Sequence, residues 1–206
     1  MDRGIFIVFE GIDGAGKSTQ AKILAERLRN LGKSVVMTAE PTELPSGREL
    51  RRVLSGEIKK SDCEIAAMFT LDRIAHNVDD ERGIEKMLRE GICVICDRYY
   101  YSTLAYQGSL IDYAWVKALN TQCPEIRHPD VCIFLDLTPA ESMKRITAGR
   151  DSTEIYENEE TLGVVRDTFM KVIEDMRSTD KIEIVDASGS IDEISDKIFD
   201  TVVSIL

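Results

Sequence analysis

Residues 10–19 of the chain read EGIDGAGKST, with Gly11 and Gly16 separated by four residues and followed directly by Lys17 and Ser18. That spacing suits the binding of phosphate. Glycine lets the backbone take φ > 0 and approach anionic oxygens closely, so several N–H groups can converge on one concavity. Residues 16–31 continue as an amphipathic helical pattern whose positive dipole end faces the same anion. Lys17 can then reach the β and γ oxygens of a nucleotide, and the Ser18 hydroxyl can ligate Mg²⁺. An accidental glycine-rich turn is disfavoured by context, because the apolar run GIFIVFE (4–10) supplies the strand that such a loop must leave.

Two further stretches carry functional groups. In FTLDR (69–73), Phe69 and Arg73 lie four apart and share a helical face, so a ring could stack on a base while the guanidinium donates to a base oxygen. Periodicity taken alone favours a core Phe beside a solvated Arg. In CDRYYYSTLAYQG (96–108), Asp97 and Arg98 stand at a strand end, followed by aromatic and amide residues. A carboxylate ending a buried strand calls for an ion pair, hydrogen bonds or Mg²⁺. The planar fork of Arg98 suits phosphate. By themselves the tyrosines fit a core or an interface as well as a site.

Apolar runs at 4–10, 33–39, 92–97, 131–137 and 182–186 must position these groups. Helical patterns fall between and around them, near 16–31, 47–55, 62–90, 112–122, 138–148, 157–179 and 190–204. Continuous apolar runs separated by helices predict parallel strands covered on both faces, hence a three-layer α/β fold with a five-stranded parallel sheet. Ligands of such sheets bind beyond the carboxyl ends of the strands, here 10–17, 39–47, 97–102 and the residues from 138 onward. The polar segment 147–160, TAGRDSTEIYENEE, reads as a surface turn or a mobile lid. With no internal repeat, the 206 residues are expected to form one domain.

The net charge, 26 − 37 = −11, argues against a nucleic-acid surface, which needs a basic footprint. It also makes each arginine near a pocket informative. No apolar run reaches the roughly 18 residues that span a bilayer, so no membrane partner is expected. Without a signal-peptide layout at the start, the expected location is the cytoplasm. Of the five cysteines, Cys93 and Cys96 lie in the strand-like ICVICD and point to opposite faces, which favours buried thiols over a redox or metal pair.

The pieces FEGIDGAGKSTQ, FTLDR, DRYYYSTLAYQG and FLDLTPAESMKR, with VDASGS near the end, run from residue 9 to 190 in an order and spacing that resemble the thymidylate kinases. The resemblance implies a P-loop NTPase kinase fold with a short lid, phosphoryl transfer from ATP to dTMP, Mg²⁺ as cofactor and a homodimer. It implies residue roles as well. The loop, with Gly11, Gly14, Ala15, Gly16, Lys17, Ser18 and Thr19, would hold ATP, and Ser18 and Asp97 the metal. Asp13 would contact the deoxyribose 3′-hydroxyl. Phe69 would stack on thymine, Arg73 would bind its carbonyl edge, and Arg98 would bridge the donor and acceptor phosphates. Ser102, Tyr106 and Gln107 would line base and sugar, with Tyr106 disfavouring a 2′-hydroxyl. Arg145 would pack on adenine.

Two departures stand out. Relatives often carry an arginine where this chain has Ala39, in AEPTELPSG, which leaves Arg48 or Arg51 as the cation for the acceptor phosphate. Gly14 fills the loop position at which some relatives place a catalytic arginine, so the chain resembles the type that carries it in the lid. There Arg150 is the candidate, because Glu154 replaces a second basic residue. Another nucleoside monophosphate is the near alternative as acceptor. A GTP-hydrolysing switch is the distant one, and the chain has no N-K-x-D guanine signature.

Overall fold

The computed structural model describes residues 3–149 and 159–206. Strands β1 (Phe6–Glu10), β2 (Val35–Ala39), β3 (Cys93–Asp97), β4 (Val131–Asp136) and β5 (Ile182–Asp186) form one sheet in the order β2-β3-β1-β4-β5. All pairings are parallel. Helices α1 (Lys17–Asn30), α2 (Pro45–Leu54), α3 (Asp62–Val78), α4 (Ile84–Arg89), α5 (Tyr100–Tyr106), α6 (Tyr113–Thr121), α7 (Pro139–Gly149), α8 (Glu159–Met176) and α9 (Ile191–Val203) flank it.

Coverage on both faces holds for the three central strands, which are buried almost throughout. It fails at the edges: Val36 and Met37 of β2 are 36 % and 38 % exposed, and β5 is only partly buried. An edge strand has a neighbour on one side only, so the apolar run marks the sheet without guaranteeing burial. The centre of the sheet is where the chain changes direction. β1 has β3 on one side and β4 on the other, and the crevice beyond its carboxyl end is taken by residues 11–16.

The helical pattern at 62–90 resolves into two helices. The Asp79 carboxylate accepts from the backbone N–H of Glu81 and Arg82, a local turn that competes with helix continuation. Gly83 then packs so closely that a Cβ would lie 2.4 Å from the Asp79 carbonyl oxygen. The α2 helix begins two residues before the expected 47, with Pro45 in its first turn. The stretch after β3, which the sequence marks only as a cluster of polar and aromatic groups, is helix α5. Tyr99, Tyr100 and Tyr101 at its start belong to the core.

That core is polar at one point. The hydroxyls of Tyr100 and Tyr101 donate to Asp180 Oδ2 at 2.5 and 2.6 Å, and His128 Nδ1 lies 2.6 Å from Asp180 Oδ1. Burial opposes the charge on Asp180, but the bonds from His128 and the tyrosines outweigh it and hold the carboxyl below its usual range. The same bond raises the pKa of His128. The sign of the linkage follows. The His128 contribution to stability is complete below its unfolded pKa and is lost as pH rises through the raised folded value; the Asp180 contribution is lost only in acid. Asp180→Ala removes the close acceptor of two buried hydroxyls, leaving Tyr100 only its 3.2 Å contacts with Tyr101 and His128, and should lower unfolding free energy by about 2–4 kcal/mol, read by urea denaturation. The alkaline loss linked to His128 should vanish with it.

Candidate active site

The register Phe9↔Asp97 sets Glu10 beside Arg98, and the loop that leaves β1 opens over both. Gly11 must be glycine: its φ is 138°, and a Cβ would lie 2.6 Å from the Leu135 carbonyl oxygen. Gly16 caps α1 at φ 95°, and no side chain caps that helix, so the first-turn N–H groups face the cavity for an anion. Lys17 Nζ donates to the carbonyls of Gly11 (2.9 Å) and Ile12 (3.0 Å) and lies 3.8 Å from Asp13 Oδ1. Burial lowers its pKa to about 8, and the nearby Arg98 charge adds to the effect.

Ser18 and Asp97, the two residues that the resemblance assigns to the metal, lie side by side. Ser18 Oγ donates to Asp97 Oδ2 at 2.7 Å, which places two hard oxygen donors side by side at the cavity wall. Such a pair fits Mg²⁺, whose remaining ligands are ordinarily phosphate oxygens and water. Among the described residues no group of three or more His, Cys, Asp or Glu side chains could hold a metal by itself.

Arg98 has φ 68°, a conformation that costs an L-residue roughly 1–2 kcal/mol. Its Nη2 donates to Asp13 Oδ1 at 2.6 Å and its Nη1 to Ser102 Oγ at 3.1 Å. The Tyr106 ring lies 5.8 Å from the guanidinium carbon. Asp13, Arg98, Ser102 and Tyr106 therefore form one constellation. Burial pushes the Tyr106 hydroxyl above its ordinary pKa, so it remains a neutral donor at neutral pH.

A cavity of about 750 Å³ opens over Asp13 and Arg98 of this constellation. The loop from Asp13 to Thr19 lines it, as do Ala39, Asp97, Arg98 and Arg145, whereas Gly11 does not. Arg145 Nη2 donates to the Ala187 carbonyl at 2.7 Å, which fixes the guanidinium at the cavity edge. Opposite stand Gly189, Ser190, Ile191 and Ile194, held by the capping box that Ser190 and Glu193 make at the start of α9.

Phe69, Arg73, Ser102, Tyr106 and Gln107 do not line this cavity. Phe69 and Gln107 are half-buried, on α3 and at the end of α5. Arg73 is 1 % exposed, against the periodicity reading of a solvated arginine. Its Nη2 lies 2.6 Å from Glu40 Oε2 and 3.2 Å from Thr103 Oγ1, its Nη1 donates to Asn120 Oδ1, and its plane sits 5.0 Å from the Tyr99 ring centroid. Arg51 donates to the carbonyls of Pro41 and Thr42 at 2.6 and 2.7 Å, and Arg48 to that of Glu43 at 2.8 Å. Both thus hold the loop after β2. Arg150 and Glu154 lie outside the described residues, as does most of the segment 147–160.

The sequence model of the family described as thymidylate kinase matches residues 9–198. The chain belongs to the thymidylate kinase family. It is 39 % identical over 198 residues to a probable thymidylate kinase of Pyrococcus horikoshii, covering 93 % of this chain and 92 % of the relative. A thymidylate kinase of Desulfotalea psychrophila is 36 % identical over 193 residues, with 93 % and 90 % covered. A solved thymidylate kinase structure from Candida albicans shares the fold, with a TM-score of 0.81 and 24 % identity over 98 % of this chain and 92 % of that one.

Residues that sequence reasoning missed are Glu10, Glu40, Thr103 and Asn120, each buried and bonded to an arginine or to its support. Glu10 carried a signal: an acid closing an all-apolar strand must have partners. The others meet Arg73 only through tertiary contacts. The Lys17 pKa yields a prediction for this thymidylate kinase. A Lys17 amine that meets nucleotide phosphates would do so protonated, and binding would raise its pKa, so triphosphate affinity should fall as pH rises above about 8, read by calorimetric titration. A constant affinity up to pH 10 would remove Lys17 from phosphate binding.

Proposed function

We propose that this protein transfers the γ-phosphoryl group of ATP to the 5′-phosphate of dTMP, giving dTDP and ADP, by Mg²⁺-dependent in-line displacement without a phosphoenzyme. Family membership supports the substrates. The observation that carries the mechanism is the convergence of Lys17 and Arg98 on one cavity wall, beside the Ser18–Asp97 pair. An oxygen of the acceptor phosphate attacks the γ-phosphorus as the bond to the β-bridging oxygen breaks, and charge spreads over the transferring group. Lys17 leaves the Gly11 and Ile12 carbonyls to meet the β and γ oxygens. Arg98, held between Asp13 and Ser102, neutralises donor and acceptor phosphates together. Ser18 and Asp97 would hold Mg²⁺, which when bound would supply further charge neutralisation.

The acceptor base lies against Phe69, with Tyr106 and Gln107 at base and sugar and Asp13 at the 3′-hydroxyl. Arg73 serves its carbonyl edge; among the described residues the buried Arg73 Nε–H has no hydrogen-bond partner, which supports a donor kept for a ligand. ATP sets its adenine against Arg145. The chain works as a single domain, as a homodimer and in the cytoplasm, where free thiols such as Cys93, Cys96 and Cys132 persist.

With ATP and Mg²⁺, ADP release should be fast with dTMP, weaker with dUMP and negligible with thymidine. One methyl group is worth only about 1–3 kcal/mol in a pocket, so dUMP is a partial substrate. Preferred turnover of another monophosphate would keep the donor site and overturn the roles given to Phe69, Arg73 and Tyr106. Arg98→Ala should cut turnover about a hundredfold or more in a folded protein, a loss of roughly 3 kcal/mol of transition-state stabilisation. Near-normal turnover would exclude Arg98 from the mechanism.

A further inference from the structure

Arg98 is the only non-glycine residue with positive φ among the described residues, and its guanidinium needs a fixed direction to serve two phosphates. We propose that Glu10 is the positioning residue for Arg98, its carboxylate locking the backbone on one side of the arginine and the Ser102 hydroxyl on the other. The inference rests on the kinase reading above and goes beyond it to a residue that touches neither substrate.

Glu10 is fully buried at the end of β1. Its Oε1 accepts from the backbone N–H of Tyr99 at 2.8 Å and of Ser102 at 3.1 Å, and its Oε2 accepts the Ser102 hydroxyl at 2.7 Å. Tyr99 is the N-cap of α5 and makes no side-chain cap of its own. Glu10 therefore supplies, from a different element, both acceptors that a capping box provides locally. A serine hydroxyl has a single proton. Because Ser102 gives it to Glu10, the oxygen presents only lone pairs to Arg98 Nη1, 3.1 Å away.

The backbone of residue 98 is gripped as well. Its N–H donates to the Phe9 carbonyl at 2.9 Å, its carbonyl accepts from Cys96 Sγ at 3.1 Å, and the next N–H is the one held by Glu10. Such over-determination is what keeps an unfavourable φ in place. Asp13 then takes the second arm of the fork. The direction of the guanidinium is thus set before any phosphate arrives.

Glu10→Gln keeps the shape but cannot accept from two N–H groups and the hydroxyl at once. Its amide nitrogen donates where the carboxylate accepted, which turns the Ser102 proton towards Arg98. Steady-state kinetics of wild type, Glu10→Gln, Arg98→Ala and the double variant test the idea. Expected are a kcat loss of about tenfold or more in Glu10→Gln, a KM for ATP within about twofold of wild type, and no further loss when the change is added to Arg98→Ala. Wild-type kcat in Glu10→Gln, or an equal loss in both backgrounds, would overturn the proposal. Should Glu10→Gln fail to fold by circular dichroism, Ser102→Ala runs through the same cycle, since it leaves the carboxylate and its two N–H donors in place. If wild type prefers a different acceptor, the acceptor assignment falls and the cycle is read on that acceptor. An activity-independent readout is the Arg98 guanidinium in ¹⁵N NMR: restricted rotation in wild type and free rotation in Glu10→Gln is the expected pattern, and equal rotation in both would count against the proposal.

Discussion

Glu10 sits at the carboxyl end of the central strand with no access to water, and a carboxylate there persists only when its oxygens are hydrogen-bonded. Meeting that demand shapes much of what lies around it. Tyr99 and Ser102 must turn their N–H groups inward, which starts α5 directly after β3. Arg98, caught between the strand and the helix, takes the left-handed conformation and projects over the loop that leaves β1. Burial raises the Glu10 pKa, while Arg98 and the bonds from Ser102 and Tyr99 act against that rise. The loop, the arginine and the helix are thus tied to one charge.

The distribution of cations follows from the same economy. In a chain with a net charge of −11, two basic groups, Lys17 and Arg98, share one cavity wall closely enough for Arg98 to lower the Lys17 pKa. Such a concentration is unfavourable without an anion, and the backbone carbonyls of Gly11 and Ile12 together with Asp13 offset it. Under the proposed function a nucleotide would replace the neutral carbonyl partners with charged oxygens, which are the stronger acceptors. Preorganised positive charge that awaits its counter-ion is what phosphoryl transfer needs, because the protein contributes alignment and neutralisation rather than covalent chemistry.

A second buried network lies beside the edge strand β2. Glu40, directly after β2, reaches Arg73 and His76 on α3, and His76 Nε2 lies 2.8 Å from Thr38 Oγ1 within β2. One turn away on the loop, Asp72 accepts from the N–H and hydroxyl of Thr42 and from Ser46. Neighbouring residues of one helix, Asp72 and Arg73, thus point their charges to different partners and fasten α3 to the sheet edge and to α2. Buried polar groups paired in this way specify one arrangement, since an unpaired alternative carries the full desolvation cost. With Asp180 beneath the tyrosines and Glu10 above, α5 is fixed between two carboxylates.

The spacing of the phosphate loop, the parallel α/β class and the five strands were legible in the chain itself, because each depends on residues close in sequence or on a run of one character, whereas Ser18 meets Asp97, 79 residues away, only through the fold. Apolar runs locate strands, and the spacing from Gly11 to Ser18 is local chemistry. The break after Val78 and the extent of α5 were less legible: the first turns on whether one aspartate bonds its own backbone, the second on a cap supplied from 89 residues away. Periodicity misjudged Arg73 for the same reason, since its partners Glu40, Thr103 and Asn120 come from three separate elements. Sequence alone determined which groups could hold a triphosphate and the family to which their order belongs. Only the tertiary structure decided how Arg98 is aimed, because strand register brings Glu10 to it and no local pattern encodes that neighbour.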